Sequence, residues 1–237
     1  MGFLRNHHSC RPPGQNCEML PLDRKEQAES IRSLTPAFLL DTLGKLRREV
    51  KEGEGSKQME NTGVIFETRF GWMGLAGGEG GIQRLYLPVP EKEQASELIR
   101  KHFPSLRESV DLFESEIAQI EEYFAGERKE FQFSLDFSSA TPFQRKTYEI
   151  LLMIPFGEVR SYGWIARKMG NEKALRAVGH ANGKNRWPLI VPCHRVVGSN
   201  GSLTGFSASG GLDLKTRLLR HEGVAVENGR VQGLIIS

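Results

Sequence analysis

Ser161-Tyr162-Gly163-Trp164-Ile165-Ala166-Arg167-Lys168-Met169-Gly170-Asn171 is the stretch on which the fold reading turns. Ser161 can cap a short helix to Met169, because its hydroxyl accepts from a first-turn backbone N–H that has no helical partner. Gly170-Asn171 then turns the chain, and Asn171 caps a further helix to about Lys184. Two helices joined by a tight turn are a helix-turn-helix pattern. Upstream, Thr141-Pro142-Phe143-Gln144 reads as a capping box with proline at the first helical position. Phe143, Thr147, Ile150, Leu151 and Ile154 then fall on one helix face, and Pro155-Phe156-Gly157 stops the helix.

Further towards the N-terminus, Val64 to Thr68, Trp72 to Ala76 and Ile82 to Leu87 are short apolar or alternating runs. Gly71 and Gly77-Gly78-Glu79-Gly80-Gly81 separate them, which predicts an antiparallel meander. The glycines could cradle a phosphate, but no Lys-Ser/Thr follows and no helix begins there. Helices are expected over Glu91 to His102 and Arg107 to Ala125, the second ending at Gly126. Phe131, Phe133 and Leu135 alternate with polar partners and predict one more strand. Residues 1–60 form an extension in which Leu39, Leu43, Leu46 and Val50 mark one amphipathic helix opened by Thr35-Pro36. The chain therefore divides into that extension, an α+β unit over 61–137 and a helical unit over 138–237.

The 237 residues are 26 % charged and 38 % hydrophobic, which excludes wholesale disorder. The longest apolar run, Ile150 to Ile154, is far below the roughly 18 residues of a membrane span. The N-terminus lacks the apolar stretch of a signal peptide. Three cysteines are too few for a disulfide framework, and a reducing, cytoplasmic setting is expected. The net charge of +3 hides an asymmetry: residues 138–237 carry 14 Lys and Arg against 6 Asp and Glu, whereas 1–137 carry 18 against 23. A basic half containing a helix-turn-helix points towards a polyanion. Ala174, Ala177, Gly179, Ala181 and Gly183 either let the second helix sit deep in a nucleic-acid groove or let it pack closely on a neighbour.

Leu189-Ile190-Val191-Pro192-Cys193-His194-Arg195-Val196-Val197 carries the chemistry. Read alone, it is an apolar strand around an inert cysteine. With His and Arg adjoining, the thiol has the neighbours that lower a cysteine pKa and make a nucleophile. Glu222, in His221-Glu222-Gly223 at the end of a helix begun near Leu212, is an acid able to orient a histidine.

Pro192-Cys193-His194-Arg195-Val196 resembles the signature of the O6-alkylguanine-DNA alkyltransferases, the methylated-DNA–protein-cysteine methyltransferases. The similarity includes Thr141-Pro142-Phe143-Gln144, Pro155-Phe156-Gly157-Glu158-Val159, Ser161-Tyr162 and Arg176-Ala177-Val178-Gly179. It continues through Ala181-Asn182, Asn185, Pro188 and Leu218-Leu219-Arg220-His221-Glu222-Gly223, in order over essentially all of 138–224. The resemblance implies a ribonuclease-H-like α+β domain over 61–137 and a helix-turn-helix, winged-helix-like domain after it. It implies DNA repair by a single, irreversible transfer of an alkyl group from guanine O6 to Cys193. The nucleotide is flipped out of double-stranded DNA, which is approached from the minor groove by a monomer, and no cofactor takes part.

The same resemblance implies the roles. His194 holds a water against Cys193 and Glu222 orients His194; Asn185 is the hinge between helix and active-site segment. Tyr162 pushes the target phosphate and donates a proton towards the leaving guanine. Arg176 fills the gap in the base stack, and Ala177, Ala181 and Asn182 lie on the DNA-binding helix. Pro188, Val196, Phe206 and Ser207 line the substrate pocket, Val196 through its carbonyl and Ser207 through its amide. The loop Gly205-Phe206-Ser207-Ala208-Ser209-Gly210-Gly211-Leu212 is two residues longer than in relatives and has Phe for their Tyr, and mobility is expected of it. A lesion-sensing module without catalysis is one rival, opposed by the presence of Cys193; a cysteine hydrolase using Cys193, His194 and Glu222 is another. His7, His8, Cys10 and Cys17 are zinc-ligand types, but six residues separate the cysteines and no metal is expected.

Overall fold

In the computed structural model, residues 62–78, 80–206 and 210–233 are described. The helix expected near 35–50, the candidate ligands at 7–17, and Ser207 with its neighbours 208 and 209 lie outside them. Period-two alternation builds the expected meander: β1 (Thr62–Thr68), β2 (Gly71–Gly78) and β3 (Gly81–Val89) pair antiparallel. Gly71 sits at φ 124°, and a Cβ there would stand 2.5 Å from the Val89 carbonyl oxygen, so the tight β1–β2 return requires glycine. Val64, Phe66, Met73, Leu75, Leu85 and Leu87 join one core, while Ala76 and Tyr86 meet Ile99 of α1 (Lys92–His102) in another. With both faces covered, β2 is buried without a break from Met73 to Gly77.

Two expectations in this half meet corrections. Arg107 and Glu108 do not start a helix; they form β4 (Arg107–Glu108), parallel to β1, and give the sheet order β3-β2-β1-β4. Ser109 N donates to Gly63 O at 3.0 Å, so pairing to the open edge of β1 overrides local helical preference. The helix α2 begins only at Glu114 and runs to Ala125, where Gly126 at φ 85° ends it. Phe131, Phe133 and Leu135 do not make a strand beyond one bridge between Leu135 and Ile82. The Gln119 side chain accepts from Gln132 N at 2.7 Å, which satisfies that backbone from a helix instead of a neighbouring strand.

The helical half follows its caps. Thr141 opens α3 (Pro142–Leu151) with the complete capping box, and Ser161 opens α4 (Tyr162–Lys168) by accepting from Trp164 N at 3.1 Å. Phe143 departs from the expected face: it is exposed, and from the second turn Thr147, Tyr148, Ile150 and Leu151 make the buried side. Asn171 caps a short 3-10 turn, Glu172–Ala174, before α5 (Leu175–Gly183). The run around the cysteine is not a strand until β6 (Val196–Val197), which pairs parallel with β5 (Arg160–Ser161). Pro188 and Pro192 cannot donate to a ladder, and Leu189 turns to φ 76° between them. After α6 (Gly211–His221), Val226–Glu227 (β7) and Arg230–Val231 (β8) make a hairpin. Asn228-Gly229 is its two-residue turn, both at positive φ.

The parts divided at 137 in the sequence share one hydrophobic cluster, in which Leu85 and Tyr123 join Tyr148, Leu151 and Trp187. Trp187 Nε1 donates to Ile82 O at 2.6 Å, and Leu85 N to Arg186 O at 2.9 Å. The active-site segment is thereby held against the sheet from behind.

Candidate active site

Cys193 opens a single 3-10 turn, Cys193–Arg195, so the thiol, the imidazole and the guanidinium leave the chain in three directions within one turn. All three residues are buried. The residue that follows the next helix completes the group: Glu222, the C-cap of α6, is 4 % exposed and yet ionised. Its Oε1 accepts from His194 Nε2 at 2.7 Å, Tyr123 Oη at 2.8 Å and Arg195 Nη2 at 2.9 Å. Its Oε2 accepts from Arg195 Nε at 2.8 Å and Gly157 N at 3.3 Å. Burial by itself would push the carboxyl up, but His194 and the two-pronged Arg195 hold it well below the usual carboxylate range.

That arrangement sets the histidine. Burial drives the imidazole below its ordinary value against the pull of Glu222, so it is neutral. With Nε2–H given to the carboxylate, Nδ1 is the bare acceptor, and it is buried without a partner. A neutral imidazole with an unused lone pair, backed by a fixed anion, is a base waiting for a proton. Burial also pushes the Cys193 thiol up, opposed by Asn185, by Lys215 and by the amides of Cys193 and His194. The thiol is therefore the resting form, and a base is needed to make the thiolate.

The other expected residues are placed as follows. Asn185 Nδ2 donates to Val191 O at 2.8 Å and its Oδ1 accepts from Trp187 N at 2.9 Å, which ties the end of α5 to the cysteine turn. Cys193, Asn182, Asn185, Pro188, Gly205 and Phe206 line one cavity. Tyr162 Oη donates to Thr204 O at 3.4 Å, a long bond that a better acceptor could displace, and burial raises its phenol. Arg176 and Ala177 are exposed on α5, whereas Ala181 and Asn182 are turned inward, the Ala181 carbonyl accepting from Tyr148 Oη at 3.2 Å.

Sequence reasoning missed Lys215 and Tyr123. Lys215 is fully buried on α6; its Nζ donates to Val196 O at 2.5 Å and Thr204 O at 3.0 Å. It thereby ties the Val196 carbonyl to that of Thr204. Burial lowers this ammonium to about 8, with Cys193 pulling the other way. The signal was present, since Lys215 occupies the apolar stripe Leu214, Leu218, Leu219 where a charge is out of place.

Comparison with known proteins gives the family. Residues 142–224 match the model of the 6-O-methylguanine DNA methyltransferase DNA-binding domain. A methylated-DNA–protein-cysteine methyltransferase of Methanosarcina acetivorans is 42 % identical over 161 residues, spanning 68 % of this chain and 97 % of that protein. The chain belongs to the methylated-DNA–protein-cysteine methyltransferases. The constitutive methyltransferase of Bacillus subtilis is also 42 % identical, over 67 % of this chain and 93 % of its own. The fold matches the crystal structure of Mycobacterium tuberculosis O6-methylguanine methyltransferase with a TM-score of 0.58 at 38 % identity, over 69 % of this chain and 92 % of that one. The same Mycobacterium protein in complex with DNA matches with a TM-score of 0.58 at 37 % identity, over 68 % and 92 %. The mixed α/β fold of this methyltransferase is thus that of its family.

Proposed function

We propose that this methyltransferase repairs O6-alkylguanine in double-stranded DNA by taking the alkyl group onto Cys193 in one irreversible event. The buried Cys193–His194–Glu222–Arg195 cluster carries this reading. The thiol proton passes by way of water to His194 Nδ1, and Glu222 stabilises the resulting imidazolium. The Sγ–carbon bond forms as the carbon–O6 bond breaks, its electron pair remaining with guanine. Tyr162 supplies a proton to the leaving base, and its raised phenol keeps that proton available at neutral pH. The product thioether is stable to water, so each molecule acts once.

The lesion must leave the duplex to reach a buried thiol, at a cost of a few kcal/mol. Exposed Arg176 with Ala177 and Gly179 gives α5 a slim face with one long cation, which supports entry from the minor groove and filling of the vacated stack. Pro188, Val196, Phe206 and Ser207 then bound the base and its alkyl group. The strand order β3-β2-β1-β4, with only β4 parallel, supports a ribonuclease-H-like domain over 61–137. The α4–α5 pair with the β7–β8 hairpin supports a winged-helix-like domain over 138–237. Action as a monomer, in the cytoplasm or in a eukaryotic nucleus, goes with this reading; among the described residues no helix is long and apolar enough to cross a membrane.

The test is incubation with duplex O6-methylguanine, followed by intact and peptide mass measurement. One methyl group per molecule, on Cys193, is expected. Repeated turnover, or methyl on Cys10 or Cys17, defeats the reading.

A further inference from the structure

A second cavity, of about 520 Å³, adjoins the one that holds Cys193. Basic side chains reach it from both halves of the molecule: Arg84 and His102 from the sheet half, Lys184 and Arg186 from the helical half. Arg84, His102, Gly183 and Asn185 line both cavities, so the two meet along one rim.

A backbone bond brings the two arginines together. Leu85 N donates to Arg186 O at 2.9 Å, and Arg84 immediately precedes Leu85 on β3. Arg186 Nη1 donates to Ser139 Oγ at 2.7 Å, and the Arg84 guanidinium stands over the Tyr86 ring, 5.7 Å from its centre. Neither Ser139 nor the ring brings a negative charge. Among the described residues, no Asp or Glu lines this cavity, and none of Arg84, Lys184 and Arg186 is in a salt bridge. Burial lowers Arg84 from its ordinary value; Tyr86 opposes, and Arg186 lowers it further. Both arginines are half-buried, where like charges repel more strongly than in open water. An anion between them turns that repulsion into two charge-assisted contacts.

The position of the cavity identifies the anion. A nucleotide that enters the thiol cavity trails its backbone over the rim the two cavities share. Arg176, in the first turn of α5, and Lys184, the C-cap of that helix, are about 12 Å apart along its axis. A strand that meets Arg176 is therefore within reach of the cavity. We propose that the second cavity is a phosphate site for the DNA strand carrying the lesion, where Arg84 and Arg186 hold one backbone phosphodiester near the flipped nucleotide. The inference rests on the alkyl-transfer reading and adds to it a DNA contact made by the sheet half. A phosphate contact carries no sequence information, which suits a lesion found in any sequence.

The experiment has two arms, both with the full chain. In the first, affinity for an undamaged duplex is titrated from about 50 to 200 mM salt. Arg186→Met is expected to weaken binding about tenfold and to make the slope of log affinity against log salt shallower by about one. Arg84→Met should act in the same direction, and Arg186→Lys, which keeps the charge, should retain the slope. Lys92→Met takes an equal charge from the far end of α1, outside the cavity, and should leave the slope unchanged. In the second arm, single neutral methylphosphonate linkages are placed along the lesion strand of an O6-methylguanine duplex. At one position, neutralisation should slow single-turnover transfer by the wild type about tenfold and make no difference to Arg186→Met. A slope that neither Arg84→Met nor Arg186→Met changes, or that Lys92→Met changes equally, overturns the site. So does a strand on which every methylphosphonate affects wild type and Arg186→Met alike. Calorimetric binding of inorganic phosphate that Arg186→Met abolishes, without either DNA effect, assigns the cavity to a free anion and overturns the proposal. Failure of the wild type to transfer methyl overturns the alkyl-transfer reading instead, since the salt slopes do not depend on transfer.

Discussion

At the scale of single residues, the site depends on keeping Glu222 charged where water does not reach. Glu222→Gln removes the anion behind His194 and leaves the Arg195 guanidinium buried opposite a neutral amide. Transfer from methylated duplex should slow about 100-fold, the range of general-base contributions, while DNA affinity stays within about twofold. Single-turnover kinetics and a binding titration separate the two effects, and an unchanged rate in a folded variant would remove the proton relay. The same pair sets the acid stability. The Glu222 carboxyl is depressed on folding, so its contribution is complete above about pH 4.3 and is lost below it. The His194 imidazole is likewise depressed, so the unfolded chain gains its proton first and stability declines as pH falls below about 6.5. Melting temperatures across pH 3–8 should show this decline, with a steeper fall near pH 4. Lys215→Met removes a cation that favours the thiolate and frees the Val196 and Thr204 carbonyls. Alkylation of Cys193 by iodoacetamide should then need a higher pH, visible as an upward shift of its pH–rate curve.

At the scale of elements, α5 has two faces with separate duties. Val178, Ala181 and Asn182 are buried, while Arg176 and Ala177 are exposed. Of the small residues, Ala174 and Ala181 face inward and serve close packing, whereas Ala177 lies on the exposed face that we propose for DNA. Arg176→Ala should reduce transfer from duplex O6-methylguanine about tenfold, since flipping a base costs a few kcal/mol. Transfer from free O6-benzylguanine should be spared if that compound is accepted, because no base is flipped. Equal loss on both substrates would place Arg176 in the chemistry instead. The turn at Cys193 shows why the expected strand failed: an apolar run suits a strand, but two prolines and a left-handed Leu189 convert it into a loop that turns its side chains apart.

At the scale of the whole molecule, the sheet half is a working part of the site. Tyr123 on α2 donates to Glu222, His221 Nε2 pairs with the Tyr123 carbonyl at 2.7 Å, and Trp187 rests on Ile82. A core shared in this way couples the unfolding of both halves. Urea unfolding should therefore show one transition, with tryptophan fluorescence and far-UV circular dichroism coinciding. Separate midpoints would show that the halves unfold independently.

The sequence by itself determined what neighbours along the chain decide. The caps at Thr141 and Ser161, the stop at Gly126, the three-strand meander and the helix-turn-helix are local matters of hydrogen bonding and period. Cys193 and His194 were legible as adjacent residues, and Glu222 as an acid at a helix end. Only the tertiary structure decided that Glu222 receives Tyr123, Gly157, His194 and Arg195, which stand 99, 65, 28 and 27 residues away. It also placed Lys215 against Val196, made Arg107–Glu108 a strand and brought Arg84 and Tyr86 to the thiol cavity. The physical reason is the same in each case: a buried polar group must find a partner wherever the folded chain supplies one, and that supply comes from packing instead of order along the chain.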